Sequence, residues 1–144
     1  MKISQALRPM DAIEDGVFVE PVPEFPTFRV KARIRGDKYK QRMALRQAEW
    51  SRIYGSREVP QAIRQRAEAD ILFEECVVAF EGLEPDPEMG FADTSMESVK
   101  RICGTYQGQP LFIHFMTAVF MVEGRRAADA EEAEGNSAPS SNGS

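Results

Sequence analysis

The chain has 144 residues, 42% of them hydrophobic and 28% charged, with a formal net charge of −5, one His and two Cys. That composition excludes a collagen-like, low-complexity or cysteine-stapled chain, and the ~120 residues left after an acidic C-terminal run are enough for one core. No run reaches the ~18 to 20 apolar residues of a membrane span, and the N-terminal MKISQALRPMDAIEDG lacks the apolar centre of a signal peptide, so a cytosolic protein without a membrane partner is expected.

Charge is unevenly spread along the chain. Residues 29–66 carry twelve Lys or Arg against three acids, a balance of +9, whereas residues 67–144 carry four against fifteen, a balance of −11. Such a split predicts one end that attracts anions or acidic proteins and another that repels them. Nucleic acid would suit the basic half, but an acidic chain without a recognised binding motif does not meet the criteria for that class.

In chain order, GVFVEPVPEFPTFRVKARIRGD holds two extended segments joined by prolines. Phe28, Val30, Ala32 and Ile34 alternate with Arg29, Lys31, Arg33 and Arg35, the period of a strand with one buried face, expected over 28–36. Val17 to Glu20 is its partner, confined to a short edge by Pro21, Pro23 and Pro26, which donate nothing to a ladder. The four cations read as a solvated edge that discourages aggregation.

A first helix is expected over 37–54, with Asp37 as its cap, Tyr39, Met43, Trp50, Ile53 and Tyr54 at helical spacing, and Gly55 as its stop. A second is expected over 58–81, capped by Ser56, with Pro60 in its opening turn and an apolar stripe of Ala69, Leu72, Phe73, Cys76, Val77 and Phe80 that Ile71 and Val78 widen. After the loop EPDPEMGFADTS, whose only large ring is Phe91, Thr94 and Glu97 have capping-box spacing for a third helix over 95–103. Pro110 opens a fourth over 110–123, with Leu111, Phe112, Phe115, Met116, Val119 and Phe120 on its buried face. Beyond Glu123 the apolar pattern ends; GRRAADAEEAE prolongs the helix at most, and residues 124–144 read as a flexible acidic tail. The expected fold is therefore mainly α (α+β): about four helices and a short N-terminal β-hairpin or strand region forming one globular domain over 1–123, followed by a disordered tail.

Little catalytic chemistry is on offer. His114, the one histidine, lies between Ile113 and Phe115 and reads as a hydrogen-bonded side chain at the edge of a packed helix. Cys76 and Cys103 sit in strongly apolar patterns, where a free thiol behaves as a small buried hydrophobe, and no CxxC or HxxxH pair is present for zinc. RIRGDKYK and RICGTYQGQP lack the spacing of a phosphate-binding loop, and the RGD at Arg35 to Asp37 suits a capping aspartate between strand and helix. Trp50 and Tyr54 amid Arg46, Arg52 and Arg57 approach a basic and aromatic surface for single-stranded nucleic acid, although helical spacing favours both rings facing the core. No enzyme activity, no metal and no cofactor are expected.

The order of elements resembles a known family. A strand region ending in FRVKARI, a basic helix, an apolar helix running into VVAFEGLE, then FADTSMESVKRICGTYQGQPLFIHFMTAVF and an acidic tail is similar, over roughly residues 28 to 125, to the tail assembly chaperones of long-tailed, siphovirus-like bacteriophages. VVAFEGL resembles that family's helix ending in an aromatic or glycine turn, and FADTSMESVKRI its segment in which a Phe precedes a capped helix. The proline-rich start and the strand cations depart from the pattern and leave the first thirty residues unassigned.

The resemblance implies a protein that binds the long, apolar, helical tape measure protein in the host cytoplasm, keeps it soluble, and is absent from the finished tail. It also implies, in many members, a ribosomal slip that makes a longer product whose extra domain recruits the major tail protein. Glu134, Gly135 and Asn136 can be encoded as GAG GGA AAC, which contains the slippery heptamer G GGA AAC, so they are the candidate frameshift junction. A helical client calls for an apolar groove and steering charge, and the surplus stripes of the second and fourth helices suit either a client or a homo-oligomer. Trp50, Tyr54, Ile71, Val78, Phe91 and Phe120 are the candidate protein-contact residues. Two rivals are a structural head-tail connector or tail completion protein, and a nucleic-acid-binding regulator.

Overall fold

A computed structural model describes residues 1–3 and 15–137. Two short strands, β1 (Val17–Val19) and β2 (Arg29–Ala32), are followed by helices α1 (Asp37–Tyr54) and α2 (Gln61–Glu75), strand β3 (Val77–Glu81), and helices α3 (Met96–Cys103) and α4 (Gln109–Ser137). The strands form an antiparallel sheet in the order β1-β2-β3, with Val19 opposite Val30 and Val30 opposite Phe80. The mainly α architecture, with about four helices and a strand region at the N-terminus, is the one expected.

The period-two reading of β2 holds for its buried side: Phe28, Val30, Ala32 and Ile34 are all buried. The ladder itself is shorter than 28–36, because past Ala32 the backbone leaves it and the Arg33 N–H donates to the Cys76 carbonyl at 2.7 Å. Val19 and Val30 face α4, where Phe115 is fully buried and meets the rings of Phe28, Phe73 and Phe80 at 5.6, 4.7 and 5.4 Å. These side chains, with Leu72, Val99, Cys103, Val119 and Val122, make the main core.

The helix expected over 58–81 is corrected in two places. Its start moves to Gln61 behind Pro60, so Ser56 caps nothing, and its end falls at Glu75, after which Val77–Glu81 is strand. The apolar run from Cys76 to Phe80 fits a buried helix or a buried strand, and Val77, Val78 and Phe80 are β-branched or aromatic. Pairing with β2 settles the choice, and a register shift at Lys31/Ala32 accommodates the sharp entry from the helix. Gly82 ends the strand at φ +78, where a Cβ would also collide with the Thr27 carbonyl.

Smaller corrections concern the caps. Gly36 precedes α1 without a side-chain cap and Asp37 is the first helical residue, favourable there through the helix dipole. Ser95 rather than Thr94 caps α3, its hydroxyl accepting from the Ser98 N–H at 3.3 Å. The helix expected over 110–123 is prolonged along GRRAADAEEAE: α4 runs 29 residues, Gln109–Ser137, since Ala, Glu and Arg are strong helix formers and no proline follows Pro110 within it. Residues 138–144 lie outside the described residues.

Candidate functional site

The surfaces left once the core has closed are the places where function can reside. α1 packs chiefly on α2, anchored by Trp50, its one buried residue, and by Arg42, which bridges Glu74 at 2.6 Å and Glu75 at 3.3 Å. At its end Arg57 folds back, donating from Nε to the Tyr54 carbonyl and from Nη2 to the Ile53 carbonyl. Its outer faces carry Leu45, 71% exposed, and Ile53, 47% exposed. On α4 the side turned from the core carries Ile113, 52% exposed, and Phe120, 49% exposed, with the Arg35 guanidinium 4.9 Å above the Phe120 ring.

The most shaped of these surfaces is an open groove of about 720 Å³ between α2 and α3. Ala62, Ile63, Arg66 and Asp70 form one wall, at the three- and four-residue spacing of one helix face, and Glu97, Lys100, Arg101 and Gly104 form the other. Thr105 and Tyr106 close one end, with Tyr106 87% exposed. Below them Gln65, a buried polar side chain, donates to the carbonyls of Cys103 at 2.9 Å and Thr105 at 2.5 Å. Those bonds fix the turn between α3 and α4, and Thr105 adds to them by donating to the Ile102 carbonyl and accepting from the Gly108 N–H.

The electrostatics of the groove are uneven. Lys100 is committed to Glu74 and Glu97 at 3.5 and 3.2 Å. Among the described residues, the guanidinium groups of Arg66 and Arg101 make no hydrogen bond or ion pair, and that of Arg101 lies in the field of Asp93. Elsewhere three cations of the basic half pair with acids of the acidic half. Arg29 pairs with Glu81, Arg35 with Glu123, and Arg42 with Glu74 and Glu75, so the split along the sequence is bridged at these three points. Arg29 and Lys31 also lie over the Phe18 ring at 4.8 and 5.9 Å on the open face of the sheet.

The candidate contact residues scatter over this framework. Trp50 and Ile71 are buried, Tyr54, Val78 and Phe91 are half-buried, and Phe120 is the one large exposed ring of the six. They do not converge on one surface. Helical spacing identifies an apolar side chain without saying whether a neighbouring helix already covers it. Glu134, Gly135 and Asn136 fall within the span of α4, their side chains outside the described ones. The groove residues Ile63, Arg66, Arg101 and Tyr106 escaped notice, although a large ring set between glycines in GTYQG, off every apolar stripe, was a usable signal.

Chemistry at the thiols is suppressed. Cys76 and Cys103 are buried and free, and burial pushes both up to about 12, with the nearby Glu123 charge adding to the effect at Cys76. His114 is half-buried on α4. Among the described residues no group of three His, Cys, Asp or Glu is placed to hold a metal, and no helix is long and apolar enough to cross a membrane. Comparison with known proteins finds no family, no curated relative and no solved structure that matches the chain.

Proposed function

We propose that the protein is a tail assembly chaperone of a long-tailed bacteriophage, which binds the apolar helical segments of the tape measure protein in the host cytoplasm and promotes tail tube assembly. One observation carries the reading beyond the resemblance in sequence. Large apolar side chains stand outside the closed core on three helices, Leu45 and Ile53 on α1, Ile63 on α2, and Ile113 and Phe120 on α4. Scattered singly they would be unremarkable, but Ile113 and Phe120, seven residues apart, share one face of α4 with the Arg35 guanidinium beside the Phe120 ring, an apolar stripe flanked by charge of the kind that helical partners dock against.

The energetics suit a holding role. Covering ~400 Å² of a client's apolar surface contributes about 10 kcal/mol before association costs are subtracted, enough for reversible binding and too little for a permanent complex. The reading is non-enzymatic and needs no cofactor. A longer frameshifted form, joined at Glu134 to Asn136, would recruit the major tail protein through its extra domain.

The test is co-expression with the tape measure protein encoded in the same gene cluster. The expected result is transfer of the client to the soluble fraction and co-purification of the two chains; an insoluble fraction unchanged by co-expression overturns the reading. Mass spectrometry of purified particles is expected to find no copies of the chain, and stoichiometric copies would favour a connector or completion protein instead.

A further inference from the structure

We propose that the α2–α3 groove is the client dock, and that it takes an amphipathic helix carrying acidic side chains beside its apolar face. This rests on the chaperone reading for the identity of the client, while the chemistry of the occupant comes from the groove.

Three observations select the site and its ligand. The groove brings an exposed aliphatic side chain, Ile63, and a highly exposed ring, Tyr106, to the border of the same concavity. At its apolar end Ile63 and Tyr106 line it beside the small residues Ala62 and Gly104, and Gly104 sits against the backbone of Arg66, where a Cβ would come within 3.3 Å of its Cα, so the walls meet closely here and leave the two large apolar side chains exposed above the seam. Next to that end stand Arg66 and Arg101, one from each wall, whose guanidinium groups pair with no carboxylate among the described residues, whereas Arg29, Arg35, Arg42 and Arg46 all do. Two unpaired forks flanking an apolar seam are complementary to carboxylates about one helical turn from a large apolar side chain.

The walls are also held in place before any ligand arrives. Gln65 ties α2 to the turn after α3, and Lys100 ties α3 to Glu74 at the far end of α2. A groove braced at both ends loses little ordering entropy on binding, which favours affinity.

The experiment uses two fluorescein-labelled helical peptides, one with leucines on one face flanked by glutamates, the other with every glutamate replaced by lysine. The full chain is expected to bind the glutamate peptide at least about tenfold more tightly than the lysine peptide at low salt, and the Arg66→Glu, Arg101→Glu double variant to invert that preference. Arg52→Glu, the same charge change on the exposed side of α1, is expected to shift affinity by less than about twofold, which separates the groove from the general field of the protein. Both substituted arginines are exposed, so an unchanged circular dichroism spectrum is expected to accompany the inversion.

Equal affinity for the two peptides overturns the proposal, as does a preference that survives in the double variant. Tighter retention of single-stranded DNA than of the glutamate peptide, lost in the same double variant, overturns it in favour of a nucleic-acid site. The two levels fail separately. If co-expression solubilises the tape measure protein but the double variant does so equally well, the dock lies elsewhere and the chaperone reading stands. If peptide preference inverts as expected but the tape measure protein stays insoluble, the groove stands as a peptide site and the chaperone reading falls.

Discussion

Arg35 and Glu123, 88 residues apart, are joined by three hydrogen bonds of 2.9 Å: one from the Arg35 backbone N–H and two from its guanidinium, which grips both carboxylate oxygens. The pair closes the fold, fastening the turn between β2 and α1 to the point where α4 leaves the core. Burial alone would raise the Glu123 carboxyl, but the side-chain and backbone hydrogen bonds from Arg35 outweigh it and hold the group below its ordinary value.

Replacing Glu123 with Ala is expected to cost about 1–2 kcal/mol in urea unfolding, the lower part of the range for charge-assisted bonds because both side chains are partly exposed. Arg35→Lys should recover only part of this, since an ammonium cannot make the two-pronged contact. With the folded value depressed, the contribution is fully present above the ordinary carboxylate range and is lost as pH falls through the lower folded value. An unfolding series from pH 7 to pH 3 should therefore show wild type and Glu123→Ala converging towards acid.

Phe115 touches three other rings and is fully buried between sheet and helices. Truncation to Ala is expected to cost about 3–5 kcal/mol, whereas Phe115→Leu, which keeps most of the volume, should cost roughly half as much. Thermal unfolding monitored by circular dichroism measures both.

Gln65 is a buried amide whose two bonds satisfy two carbonyls of the α3–α4 turn. Gln65→Leu leaves the acceptors without a donor and is expected to cost about 1–3 kcal/mol. Hydrogen exchange should then rise at residues 104–108 before it rises in the sheet, because the turn loses its tie while the main core is untouched.

Both thiols should be silent towards alkylating reagents at pH 8 in the native state and react fully in denaturant. The buried groups combine low exposure with values near 12, so almost no thiolate is present at that pH. Mass spectrometry after iodoacetamide treatment should find no adduct on the folded chain and two on the unfolded one.

The parts of the fold that could be read from the letters are those where one local rule acts alone. α1 begins at Asp37 and ends at Tyr54 as expected, because a dipole-favourable acid and a helix-stopping glycine bracket it. The alternation around Val30 placed its buried side correctly for a similar reason. β3 was missed because the apolar stripe of the helix runs on without a break into Cys76 to Phe80, and only the presence of a partner strand decides between helix and strand there. Candidate contacts suffered most: Ile71 and Trp50 sit on helical faces that a neighbouring helix covers, and that covering depends on packing between distant segments. The ion pairs between the two charged halves, such as Arg29 with Glu81, were illegible for the same reason, since they join segments far apart in sequence.

Among the described residues the last buried side chain is Val122, yet α4 runs on to Ser137. Past the Glu123 clasp the described side chains of α4 add nothing buried to the interior, so among the described residues the ribosome has delivered every buried anchor before that stretch is translated. Evolution, or an engineer attaching a reporter, can rewrite, lengthen or re-phase the message there and inherit the same folded body each time.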